Sequence, residues 1–262
     1  AVAAIPEGLP AVVTVALAKG GSTKTTTAAE AAYALARRGQ RVLALDLDQQ
    51  GNLTTRLGLT RDTEVAATAA DLLAGQATAA QAAVASPLPG IDVIAGTSQL
   101  AEVEHLPEIA AALRDELPAL TDWDAVVIDT PPALGIITLA ALAAADTIVA
   151  PVTCEAEAYE QLTRLGAFIG GRVARLAPGA HIGAVIPTRY DRRRRLDREV
   201  VELLGEKWPD QIRPPVREAV AAKDAYIAGL PLSAYAPDSG AAADYAAALA
   251  PLLPAPAPTG RT

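Results

Sequence analysis

Short apolar runs, spaced by longer alanine-rich stretches, set the layout of this chain. AVVTVAL at 11–17 and RVLALDL at 41–47 are continuous enough to be buried and too short to be helices. Residues 91–95, 125–129, 147–152 and 181–186 repeat the pattern, so six buried strands are predicted. Helical stretches fall between them, at about 24–38, 135–145, 156–177 and 196–207, and Gly39 sits where a helix-ending glycine belongs. Strands alternating with helices predict an α/β fold: a mostly parallel twisted sheet with helices on both faces. Ligands of such sheets bind beyond the carboxyl ends of the strands. One domain over 1–253 is expected, followed by a proline-rich, disordered tail at 254–262.

Composition narrows the function classes. Hydrophobic residues make up 51% of the chain but aromatics only 3%, so small side chains must fill much of the core. The single cysteine, Cys154, excludes an intramolecular disulfide or a thiolate metal cage, which fits a reducing compartment. The longest apolar run, 133–145, falls short of the ~20 residues a membrane-spanning helix needs, so no membrane association is expected. A net charge of −8 argues against a protein that is basic all over, though not against a local basic face.

The strand at 11–17 leads into Ala18-Lys19-Gly20-Gly21-Ser22-Thr23-Lys24-Thr25-Thr26 and then a helix. Phosphate binding needs backbone N–H groups turned inward, a helix N-terminus, a lysine and a hydroxyl for Mg²⁺, and this order supplies all four. Yet the P-loop pattern G-x-x-x-x-G-K-[ST] wants glycine where Ala18 and Thr23 stand, and a polar strand–helix turn would carry the same residues. Two further segments weigh against that plainer reading. Asp46 and Asp48 share a face at the end of the second strand, and DAVVID at 124–129 is an apolar strand ending in Asp129. That is the form of a Walker B acid, which orders Mg²⁺ through water. Any one of these could be a solvated strand-end aspartate; together, in this order, they point to a nucleotide site.

At this point the chain resembles the ParA/MinD family of deviant Walker A ATPases. The resemblance rests on KGGSTKTT at 19–26, RVLALDLDQQGNLT at 41–54, DAVVIDTPPALG at 124–135 and YAPDSGAAADYAAAL at 235–249, in order over nearly the whole chain. It implies a P-loop NTPase fold, ATP/ADP and Mg²⁺ as ligands, and slow ATP hydrolysis in a homodimer that sandwiches ATP. By position, Gly20, Gly21, Ser22, Thr23, Lys24, Thr25 and Thr26 would bind nucleotide, with Thr188, Pro214 and Pro215 near the adenine. Thr25, Asp46 and Asp129 (through water) would serve the metal, and Asp48 would orient the attacking water. Lys19 would reach the partner subunit's phosphates, with Glu155 at the dimer face and Pro131 and Pro132 in the switch after the Walker B strand. Lys19, Lys24 and Asp48 are thus the catalytic set.

Thr23, where the family has glycine, is a departure. A negative, helical φ is expected there, with the side chain turned from the phosphates, because a β-branched residue is strained at positive φ. The loop also starts within 20 residues of the first residue, so no N-terminal helix-turn-helix domain is expected.

One charge cluster remains. Between Gln161 and Arg217 lie 12 Lys/Arg and 6 Asp/Glu, a local +6 in a chain of −8, centred on TRYDRRRRLDRE at 188–199. A solvated helix face would look similar. The resemblance favours DNA gripped without sequence readout, through Arg189, Arg192, Arg193, Arg194, Arg195 and Arg217. The implied function is DNA partition: an ATP dimer on non-specific double-stranded DNA, cytoplasmic and nucleoid-associated, released when a ParB-like centromere-binding partner stimulates hydrolysis. The alternatives are a spatial regulator of another cargo or of the division site and, on the same fold, an ATP-dependent metabolic ligase.

Overall fold

The computed structural model describes residues 9–21, 23–60 and 62–253. Ser22 and the expected tail at 254–262 lie outside them. Seven strands form one sheet: β1 (Ala11–Val15), β2 (Val42–Asp46), β3 (Ala83–Ala85), β4 (Ile91–Ile94), β5 (Ala125–Asp129), β6 (Thr147–Thr153) and β7 (Ile182–Thr188). Their spatial order is β3-β4-β2-β5-β1-β6-β7, and every pairing is parallel except that of β3 with β4.

The parallel strands are mostly apolar because both faces of the sheet are covered. Along β2, Val42 and Ala44 enter one core cluster while Leu43 and Leu45 enter another, and β5 divides in the same way. Helices Lys24–Ala36 and Gly240–Leu249 fill the first face; Ala69–Leu73 and Ile136–Ala143 pack on the second. A third cluster joins β6 and β7 to helices Ala158–Gly171 and Arg195–Lys207. Cys154 lies there as a buried free thiol. No helix among the described residues is long and apolar enough to cross a membrane.

All six predicted strands are present, and the predicted α/β architecture is the observed one. The stretch at 156–177 is a helix only to Gly171, followed by a 3₁₀ turn at Val173–Arg175, where Gly170 and Gly171 end the regular helix. The edge strand β3 has no counterpart among the predicted strands. It is three half-exposed residues, too short to show alternation, and it follows directly on the capped turn Ala79–Ala82.

Register decides where the chemistry falls. Asp129 pairs with Asp46 on one side and with Val15 on the other. Thr153 pairs with Thr188. The ends of β1, β2, β5, β6 and β7 thus lie along one edge of the sheet.

Candidate nucleotide site

The chain leaves β1 and turns through Gly20 and Gly21 into the helix Lys24–Ala36. Gly21 has φ +73, a value glycine adopts without strain. Thr23 caps the helix with φ +64 and ψ +14, so the negative φ expected there is wrong. A left-handed residue beside helical ones is the geometry that lets successive loop amides turn toward an anion, so the loop's role favours it here over the side chain's preference. For a non-glycine residue that costs about 1–2 kcal/mol. A hydrogen bond from the Thr23 hydroxyl to the Thr188 hydroxyl, 2.9 Å long at the end of β7, offsets part of this cost.

A cavity of about 360 Å³ opens over this loop, lined by Gly20, Gly21, Thr23, Lys24, Thr25, Thr26, Asp48, Asn52, Arg56, Pro132, Arg189 and Tyr226. Lys24 is buried, and its Nζ donates to the Lys19 carbonyl at 2.8 Å. Burial lowers its pKa, while the charges of Asp129 and Asp48 work against that shift.

The three aspartates have different surroundings. Asp46 is fully buried with both oxygens engaged: Oδ1 accepts the Asp48 N–H at 3.1 Å, and Oδ2 accepts the Thr54 N–H and hydroxyl at 2.8 Å each. It anchors the turn that carries Asp48, and burial raises its pKa to about 6 against those hydrogen bonds. Asp48 accepts the Gln50 N–H at 3.0 Å and faces the cavity.

Asp129 is also fully buried, yet neither of its oxygens completes a hydrogen bond with a described residue. Burial, then the Asp46 carboxylate beside it, raises its pKa well above the usual range; the nearby Thr25 hydroxyl and Lys24 ammonium oppose this. Two buried carboxylates side by side, one of them without a completed hydrogen bond, are a costly arrangement with only the Lys24 charge to offset them. The donors are hard oxygens, as Mg²⁺ requires. Among the described residues no group of three or more His, Cys, Asp or Glu could hold a metal, so an ion here needs oxygens from phosphate and water as well. These residues fit Mg²⁺ bound together with a nucleotide.

Lys19 does not line this cavity. Its ammonium is ion-paired with Glu155 just beyond β6, and that contact holds the Glu155 carboxyl below its ordinary pKa. Thr188 is buried, donating to the Val152 carbonyl at 3.3 Å behind the loop. Arg189 follows with φ +53 and reaches the cavity. Pro214 and Pro215 do not line it; Pro215 borders a separate cleft of about 580 Å³ shared with Arg192, Arg193, Arg194 and Arg217. Most of the arginines in this region have internal partners. Arg193 and Arg194 pair with Asp191, and Arg195 with Glu199. Arg217 makes a two-pronged contact with Asp244 at 2.6 and 3.0 Å.

Sequence reasoning missed Asn52, Arg56, Tyr226 and Gly96. Asn52 and Arg56 stand one turn apart on the helix Asn52–Arg56, directly after the Asp48 turn, and that proximity was a usable signal. Gly96 follows β4 where a Cβ would lie 2.6 Å from the Asp48 carbonyl and 2.7 Å from the Asp46 carboxyl carbon. Only a glycine lets these segments approach so closely.

A family model described as an AAA domain matches residues 11–176. The chromosome partitioning protein ParA of Caulobacter vibrioides is 40% identical over 208 residues, covering 77% of this chain and 78% of that one. The sporulation initiation inhibitor protein Soj of Bacillus subtilis is 34% identical over 233 residues, 87% of this chain and 92% of that one. Among solved structures, cobyrinic acid a,c-diamide synthase from Mycobacterium smegmatis with bound ADP and magnesium has a TM-score of 0.74 at 31% identity, covering 84% of this chain and 91% of that one. McdA of Cyanothece in complex with ATP reaches a TM-score of 0.83 at 24% identity over 93% and 96%, a likeness of fold. The P-loop with Lys19 and Lys24, the aspartates at the ends of β2 and β5, and this extent of identity agree: the chain belongs to the ParA/Soj family of deviant Walker A ATPases.

Proposed function

We propose that this chain is a DNA-partition ATPase. With ATP it forms a face-to-face dimer on non-specific double-stranded DNA, and a ParB-like centromere-binding partner stimulates hydrolysis and release. It would work in the cytoplasm on the nucleoid. The observation that carries this reading is the segment after β7, where Arg189 lines the nucleotide cavity and Arg192, Arg193 and Arg194 line the arginine cleft. One short segment would then face both ligands, and nucleotide occupancy would govern how the arginines are presented.

The loop amides and Lys24 would hold the phosphates, with Thr26 beside them. Thr25 and Asp129, with Asp46 behind, would hold Mg²⁺, which neutralises phosphate charge when bound. Asp48, fixed by its own turn and by Asp46, would orient water. Lys19 would exchange Glu155 for the phosphates of a second copy, adding positive charge only in the dimer. On the arginine face, DNA phosphates would replace Asp191, Glu199 and Asp244 as partners, giving affinity without sequence readout.

The test is filter retention of random-sequence duplex DNA at low salt, with and without a non-hydrolysable ATP analogue, alongside ATP turnover. Retention that needs the analogue and collapses with added salt supports the proposal. Absence of retention under those conditions overturns it. The 31% identity to a diamide synthase favours a second reading, ATP-dependent activation of a small carboxylic acid. Turnover stimulated by such an acid, without DNA retention, would establish that reading instead.

A further inference from the structure

The nucleotide cavity contains a cation that neither the loop nor the family reading assigns. Arg56 lies four residues after Asn52, and both side chains line the cavity with Lys24, Thr25 and Thr26. Its guanidinium sits over the Tyr226 ring, 4.9 Å from the centroid. The Tyr226 hydroxyl donates to Asn52 Oδ1 at 3.0 Å, so the ring is itself held in place. Among the described residues Arg56 makes no ion pair. Its hydrogen bond to the Ala222 carbonyl is long, at 3.5 Å. Burial is the main influence on the group and lowers its pKa, with the more distant charges of Glu30 and Asp129 among those opposing.

A guanidinium carries five N–H donors in a planar fork suited to phosphate. Here one long contact and a ring face satisfy it, in a half-buried place where an unpaired cation is expensive to keep. The cavity it faces is walled by the phosphate loop, and the charge of Asp129 reaches it there. An anion entering this cavity would supply the missing partner. We propose that Arg56 is a phosphate ligand of the bound nucleotide, supplied within the same subunit and held flat by Tyr226. This rests on the cavity being the nucleotide site; Lys24 and the loop would hold the phosphates from one side and Arg56 from the other.

The experiment is displacement of a fluorescent ATP analogue, in Mg²⁺, by ADP and by inorganic tripolyphosphate, for wild type, Arg56→Gln and Arg56→Lys. Arg56→Gln should weaken both competitors about 10- to 100-fold, the range of a charged hydrogen bond, and Arg56→Lys should fall between. Wild-type constants in Arg56→Gln would overturn the proposal. A loss confined to ADP, with tripolyphosphate unaffected, would place the guanidinium on ribose or base and also overturn it. Should Arg56→Gln fail to fold, the Arg56 Nε–H resonance of the wild-type protein, assigned by its loss in Arg56→Lys, decides the matter. A shift on adding tripolyphosphate supports the contact, and a stationary resonance refutes it. Failure of the wild-type protein to bind the ATP analogue at all is a separate result, and it would count against the ATPase reading.

Discussion

Replacing Thr23 separates two opposing energies at one residue of the phosphate loop. Its left-handed backbone (φ +64) costs about 1–2 kcal/mol relative to glycine. Its hydroxyl bond to Thr188 returns about 1 kcal/mol. Thr23→Gly removes the strain and the bond together, and glycine's extra freedom in the unfolded chain costs a further ~0.5–1 kcal/mol. These terms nearly cancel, so Thr23→Gly should lie within about 1 kcal/mol of wild type. Thr23→Ala keeps the strain and loses the bond, and Thr188 keeps its own donation to Val152; it should be about 1 kcal/mol less stable. Thr23→Ser keeps both and should match wild type. The assay is urea unfolding without nucleotide, followed by far-UV circular dichroism, comparing midpoints at constant slope. The expected order is threonine, serine and glycine together, with alanine below. If Thr23→Ala is as stable as wild type, the hydroxyl bond compensates for nothing and the account fails.

Three further outcomes follow from the packing and charge around the site. Gly96→Ala would set a Cβ 2.6 Å from the Asp48 carbonyl and 2.8 Å from the Asp46 carbonyl, so it should lower unfolding stability by about 1–3 kcal/mol and weaken Mg·ATP binding; wild-type values by denaturation and titration calorimetry would contradict the close approach. Glu30 is buried against Ser233, and burial raises its pKa above the ordinary 4.5, so its neutral form favours folding and that contribution is lost as pH rises from 4.5 through the folded-state value. Glu30→Gln should therefore gain stability relative to wild type as pH climbs, then level off; urea midpoints that stay parallel from pH 5 to 8 would refute this. Lys19→Ala should retain binding of ATP by the monomer but lose ATP-dependent dimerisation, and an unaltered ATP dimer by light scattering would remove Lys19 from the interface.

How much of this molecule could be read from its sequence depended on how local each signal was. The six parallel strands are legible because burial on both faces makes each one a mostly apolar run, as in residues 125–128 before Asp129. Strand β3 carried no such mark, because an edge of three half-exposed residues need satisfy neither face. Asp46 and Asp129 were legible as strand-end carboxylates, but their division of labour was not. It depends on Thr54 and the Asp48 N–H filling the oxygens of Asp46 while those of Asp129 complete no hydrogen bond among the described residues. Thr23 departs from expectation for a definite reason: β-branching disfavours a positive φ, and the geometry of an anion-binding loop outweighs that preference.

The cation at Arg56 shows the same limit from the other side. Its nearness to the Asp48 turn hints at the site, but what holds it there is the ring of Tyr226, tied to Asn52 across 174 positions of sequence. A motif records what the backbone needs nearby, whereas the partner that buries a charge is chosen by topology. That is why the loop of this site was readable in the sequence and its far wall was not.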